Sequence, residues 1–367
     1  MKEYMTGKER IMAALRKEEV DRVPVVPLIQ PYSIYGMDES VPHDMIELQQ
    51  AQGWDVWIHL MADAGVIRVP KPDSGIRTFT RWEKGDKISG IETPVGTIWE
   101  RTHNGGDGTL SVAMKHLLEE VEDMEVYLYY LKNTIPYRYV NKAYYDFQKA
   151  KVGETGIFAE MSQKDTPLGD MLNFLSGIDH TYELMAEDED IFEELVDVMQ
   201  QTKVEAYELL CEVSQAEVIG QAENLSWTTV SPALTEKYII PHLNQYTEVA
   251  HKHGKLHIVH MCGKLKLLEK QLLKGVFDAI TDIAPGPTGD TFLWEAAEMY
   301  PHVAVKGGIA CQEFRDEDPT AVYRAAMEIL ERTEGRKGVL LGSGDSVPTT
   351  TWEHLCQIRR AVDDYYA

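Results

Sequence analysis

Short apolar runs alternate with amphipathic stretches along most of this chain. The run at 23–28 is β-branched and carries proline near both ends, and a second run lies at 54–61. Further runs of the same kind follow at 156–160, 216–222, 256–260, 278–283, 302–308 and 338–343. Each is rich in Val, Ile and Leu and apolar on both faces, which predicts buried parallel strands. Between them, positions 190–213, 231–253, 265–274, 291–300, 319–332 and 352–365 have helical periodicity. Thr6 is placed to cap a helix near the N-terminus. Eight strands alternating with helices predict an α/β fold, a (β/α)₈ TIM barrel. No repeat and no linker rich in Gly, Pro or Ser divides the sequence, so one domain over residues 1–367 is expected.

Residues 77–112 break the rhythm. Polar and apolar residues alternate there, with Gly85-Asp86 and Pro94-Val95-Gly96 at the bends. This predicts an antiparallel β-meander inserted after the second strand.

In such barrels the chemistry gathers at the C-terminal ends of the strands. The third strand ends in Glu160, followed by Ser162, Gln163 and Asp165, and the fourth in Gln221-Ala222-Glu223-Asn224. The fifth ends in His260-Met261-Cys262-Gly263 and the sixth near Asp282. The seventh ends in Lys306-Gly307-Gly308, with Cys311 shortly after, and the eighth in Ser343-Gly344-Asp345-Ser346. On a strand, alternate residues share a face, so His260 and Cys262 point the same way and make half of a tetrahedral zinc site. Plainer readings stand beside these. Asp345 suits a turn or a helix cap, Glu223-Asn224 a polar loop, and Cys311 the core.

Composition narrows the partners. The chain has 367 residues, 44% hydrophobic, and a formal net charge of −24. An acidic surface of that kind repels phosphate backbones and anionic lipid, which argues against nucleic acid and membrane partners. The four cysteines lie far apart, no stretch is long enough for a membrane span, and Met1 to Arg10 lacks an apolar signal core. A cytoplasmic protein with reduced thiols is expected.

Several short motifs together resemble the uroporphyrinogen decarboxylase superfamily, and within it the zinc-dependent corrinoid methyltransferases. They are Asp21-Arg22-Val23-Pro24-Val25, Glu92-Thr93-Pro94-Val95-Gly96-Thr97, Ser231-Pro232, His260-Met261-Cys262-Gly263 and Gly342-Ser343-Gly344-Asp345-Ser346-Val347-Pro348. The resemblance runs over nearly the whole length. It implies Zn²⁺ bound by His260 and Cys262, with the third ligand position falling on Asp345 where relatives carry cysteine; Cys311 is the alternative third ligand. Their places at the strand ends make Glu223 and Asp345 the candidate catalytic groups and Gln221, Asn224 and Glu160 the candidate substrate-binding ones. The expected activity moves a methyl group between a small methylated substrate, best a phenyl methyl ether undergoing O-demethylation, and the cobalt of a corrinoid (cobalamin) carried by a partner protein. Alternatives are a methylcobamide:thiol methyltransferase, a uroporphyrinogen decarboxylase, and a non-catalytic barrel binding a tetrapyrrole or metal. Decarboxylases of the superfamily hold substrate carboxylates with an arginine-rich segment after the first strand; here residues 29–37 contain no Arg or Lys. A homodimer is among the expected assemblies. Exposed apolar residues at the barrel rim, Met37 and Trp227, are expected to serve partner docking.

Overall fold

The computed structural model describes residues 3–38, 40–60, 64–104, 111–161 and 165–367. Ser162 and Gln163 therefore lie outside the described residues. The chain groups into two compact units: 1–64 with 140–163 and 211–367, and 65–139 with 164–210. The sequence pattern alone gives no sign of that division.

The first unit is the barrel. Helix α1 (Gly7–Leu15) starts at Thr6, whose side chain and that of Glu9 form a reciprocal capping box. Helix α2 (Met45–Ala51) is capped by Asp44, which accepts from the Ile46 and Glu47 amides. β1 (Val56–Leu60) follows.

The second unit contains β2 (Ala64–Pro70), then the four-stranded antiparallel sheet β3 (Arg77–Glu83), β4 (Asp86–Thr93), β5 (Gly96–Asn104) and β6 (Ser111–Lys115). This is the meander, inserted after the second barrel strand. Ile88, Ile91 and Ile98 give it one buried face, and helix α3 (Val121–Lys132) packs on that sheet. β7 (Thr134–Val140) pairs with β2. The polar pattern of 77–112 gave no hint of that two-stranded pair, whose members are far apart in sequence.

Back in the first unit, helix α4 (Lys142–Val152) leads into β8 (Gly156–Met161). β9 (Val218–Ala222), β10 (Leu256–His260), β11 (Ala279–Ile283), β12 (Ala304–Ile309) and β13 (Val339–Ser343) complete a parallel sheet in the order β1-β8-β9-β10-β11-β12-β13. The eighth position is filled by residues 23–28. They make only a bridge, Val25 with Leu341, backed by Val26 N–H to Leu341 O (2.8 Å) and Leu341 N–H to Pro24 O (2.9 Å). On the other side Asp55 N–H donates to Val25 O (3.0 Å). The reason the run does not form a full strand is chemical: Pro24 and Pro27 have no N–H to give a ladder. The ring nevertheless closes, and the fold is a TIM barrel.

One cluster fills its lumen. Val26, Trp57, Ala159, Val218, Ile258, Ala279, Ala304 and Leu340, one from each strand position, pack together with Ile11, Met12, Ala14 and Leu15 of α1. That cluster fixes which face of every strand points inward, and so which strand-end residues can meet over it. Among the described residues, no helix is long and apolar enough to cross a membrane.

Candidate metal centre

His260 lies two residues beyond the inward-facing Ile258 and shares its face. By the same alternation Lys306 projects inward above Ala304, and His59 above Trp57. The polar layer over the apolar lumen is therefore built from His59, His260 and Lys306, and one residue joins them. Asp282 is fully buried and accepts from His260 Nδ1 (2.7 Å) and from Lys306 Nζ (2.5 Å). Its backbone has φ +64, unusual outside glycine, at a point where the β11–β12 register shifts between Ile280 and Ile283. The shift is what brings Asp282 to this layer. It needs Gly307, whose φ is +134: a Cβ there would sit 2.6 Å from the Ile283 N and O atoms.

The electrostatics follow from the geometry. Burial would raise the Asp282 carboxyl, but Lys306 and His260 overcome it and hold the group well below the usual carboxylate range. Burial disfavours the His260 imidazolium, yet hydrogen bonds to Asp282 and Cys262 raise its pKa well above the ordinary histidine value. With Nδ1 committed to Asp282, Nε2 is the nitrogen left for the site. His59 has the opposite fate: burial pushes it down to about 4, so its ring is neutral.

One ligand atom from each of His260, Cys262 and Asp345 lies within 4.8 Å of the other two. A four-coordinate zinc with bonds of about 2.0–2.3 Å holds its ligand atoms about 3.3–3.8 Å apart. The donor set of imidazole nitrogen, thiolate and carboxylate suits zinc. Cys262 is placed by Gly263, where a Cβ would lie 2.3 Å from Leu225 O, so the turn after the strand packs directly on the neighbouring loop. Asp345 follows β13 and accepts from the Ser346 amide (2.6 Å). Cys311 is near but stands apart from the set. Its Sγ faces Ser346 O at 3.6 Å, and burial, aided by the Asp345 and Asp282 charges, pushes its thiol up to about 12.

The other candidates divide by strand face. Asn224 Oδ1 accepts from Cys262 Sγ at 3.9 Å. Glu223 is buried, its amide bonded to His260 O (2.9 Å) and its carboxylate 3.5 Å from Gln221 Nε2. Glu160 and Gln221, both fully buried, alternate with the lumen residues Ala159 and Val218 in the wrong parity. They face away from the lumen and do not project alongside His260. Reading strand ends without parity placed them in the substrate site. The same omission hid His59, whose spacing of two from Trp57 was the available signal. Met37 and Trp227, expected to be exposed, are half-buried; Trp227 Nε1 donates to Asp290 (2.9 Å).

Comparison with known proteins places the chain. None of the curated proteins compared with it matches. Among solved structures, a methyltransferase from Methanosarcina mazei aligns over 99% of this chain and 100% of its own, with 16% identity and a TM-score of 0.62, a likeness of fold. A B12-independent methionine synthase from Shewanella sp. W3-18-1 aligns over 94% of this chain and 97% of its own, with 13% identity and a TM-score of 0.46. The sequence model of uroporphyrinogen decarboxylase (URO-D) matches residues 169–365, more than half of the chain and a stretch that includes His260, Cys262 and Asp345. The chain belongs to the URO-D family.

Proposed function

We propose that this protein is a zinc-dependent methyltransferase, moving a methyl group between a small methylated substrate and the cobalt of a corrinoid carried by a partner protein. The observation that carries the reading is the convergence of His260, Cys262 and Asp345 within 4.8 Å over the barrel lumen. Zinc held there would supply Lewis acidity toward the heteroatom that carries the methyl group. One thiolate and one aspartate balance its charge, while Asp282 and Lys306 neutralise each other beneath.

The protein's own groups have separable tasks. Asp282 fixes the His260 ring so that Nε2 faces the site. Asn224 meets the Cys262 thiol through Oδ1, and with the thiolate it would have to present its Nδ2 donor to the sulfur instead. Glu223 is held by its amide to the His260 carbonyl, and its carboxylate would have to swing away from Gln221 to serve the ligand set as a proton acceptor. Replacing a thiolate by Asp345 makes the site harder, which favours an oxygen-bound methyl group such as that of a phenyl methyl ether. Methylcobamide:thiol transfer is the second reading and would draw on the same three ligands. Decarboxylation of a polycarboxylate is disfavoured by the lack of Arg or Lys in residues 29–37.

The test is an anaerobic assay with a cobalt(I) corrinoid protein and a panel of O-, S- and N-methyl donors. Demethylation of an aryl ether with methylation of cobalt is expected. Metal-loaded protein that turns over no methyl donor would support a non-catalytic metal-binding barrel instead.

A further inference from the structure

His260 is aimed at the metal centre by a partner of its own, Asp282 (2.7 Å). Asp345 is placed differently. Among the described residues its carboxylate bonds only the next amide, Ser346 N–H (2.6 Å), which moves with it. Its position is therefore set by the backbone on either side. Before it, Gly344 N–H donates to Ile309 O (2.8 Å), and a Cβ on Gly344 would sit 2.8 Å from Ala284 Cα. These contacts pin that side to the ends of β11 and β12. After it, both backbone polar groups of Val347 are held by one segment from the start of the chain. Its N–H donates to Leu28 O (2.8 Å), and its carbonyl accepts from Ser33 Oγ (2.5 Å).

Ser33 belongs to a single 3₁₀ turn, Pro31–Ile34, that follows the first strand position, and it is fully buried. Its hydroxyl accepts from Gln30 N–H (3.0 Å) and donates its one proton to Val347 O. Its own carbonyl accepts from Thr350 N–H (3.1 Å), and the neighbouring Tyr32 O accepts from Thr349 Oγ1 (3.0 Å). On the other side of Asp345, Ser343 Oγ accepts from Leu28 N–H (3.0 Å). Hydrogen bonds thus join residues 28–33 to residues 343–350, the stretch that carries Asp345. Ser33 supplies the buried side-chain bond on the C-terminal side of that ligand. We propose that Ser33 is a positioning residue of the metal centre, which acts through Val347 to hold Asp345 at its ligand position. The proposal rests on the reading of Asp345 as a metal ligand. A serine that only closed its own turn through Gln30 would affect stability, but its effect on metal binding would not depend on Asp345.

The experiment is a double-mutant cycle read by zinc affinity, from competition with a chromophoric chelator, on chains shown to be folded by circular dichroism. Ser33→Ala leaves Val347 O without its side-chain donor. It should weaken zinc binding about three- to tenfold in the otherwise unchanged chain. In Asp345→Ala, where the ligand it positions is already gone, the same substitution should cost less than about twofold. Ser33→Thr, which keeps the hydroxyl, should recover most of the loss. Ser33→Cys, a weaker donor of similar shape, carries the same cycle if Ser33→Ala does not fold. Unchanged affinity on removing the Ser33 hydroxyl, or an equal loss with and without Asp345, would overturn the proposal and leave the ligand set standing. Unchanged affinity in Asp345→Ala would overturn the ligand reading and the proposal with it.

Discussion

At the residue scale the account turns on Asp282. It has no contact with a ligand position except through His260 Nδ1, and it is held there by Lys306. Asp282→Ala should weaken metal affinity about 10- to 100-fold, the usual effect of losing a partner behind a ligating histidine. Competition with a chromophoric chelator reads this directly. Asp282→Glu, which keeps a carboxylate, should lose less; equal metal affinity in wild type and Asp282→Ala would deny Asp282 its positioning role. The sequence made part of this legible. His260-x-Cys262 carries its own spacing, and Asp345 its place in a motif, so three residues distant in the chain could be named together. Asp282 could be named only as a strand end, because its inward turn depends on a local register shift that no residue type in 278–283 announces. Glu160 and Gln221 illustrate the converse: their identity suggested a site, and their strand parity directs them elsewhere.

At the scale of elements, the β11–β12 pair is the strained joint. Gly307 has φ +134 and a neighbouring backbone where a Cβ would go. Gly307→Ala should therefore destabilise the fold by about 1–3 kcal/mol, the range for backbone strain of this kind. Urea unfolding measures that, and a metal titration of the still-folded variant should find weaker binding, because the same joint presents Asp282. A variant as stable as wild type would mean that the joint relaxes freely. Most elements were readable from periodicity: the last helix, Trp352–Tyr365, matches its pattern end to end. The first strand was overestimated because an apolar run records burial, whereas its two prolines decide how many ladder bonds it can make. The β2–β7 pair was missed because pairing between distant segments leaves no local period.

For the whole molecule, a buried ion network ties α1 to the first two strand positions of the barrel. Arg10 bonds Asp21 through Nε (2.6 Å) and pairs also with Asp55, which accepts from Arg22 (2.7 Å) and from the Val25 amide (2.8 Å). All four charged groups are nearly inaccessible. Burial would raise the Asp21 carboxyl, but Arg10 and the Met5 and Tyr4 amides hold it well below the ordinary carboxylate range. A depressed folded-state pKa gives stability that is present above the unfolded value, about pH 4, and lost as pH falls below it. Asp21→Asn should cost about 3–5 kcal/mol at pH 7, since it leaves Arg10 short of a partner. In denaturant titrations the gap between wild type and variant should narrow as pH falls below about 4. A gap independent of pH would show that packing, not charge, is what the substitution removes. The Asp21-Arg22 pair was legible as a motif, but its role as a buried clamp was not, because its partners Arg10 and Asp55 come from separate elements.

The central claim is that His260, Cys262 and Asp345 hold one metal ion, and metal analysis of the purified protein tests it most directly. Wild type should carry close to one zinc per chain. Cys262→Ala should lose most of it, and Asp345→Ala should keep a reduced share, because His260 and Cys262 remain to bind. Full zinc in Cys262→Ala, or loss of zinc in Cys311→Ala with retention in Asp345→Ala, would contradict the account.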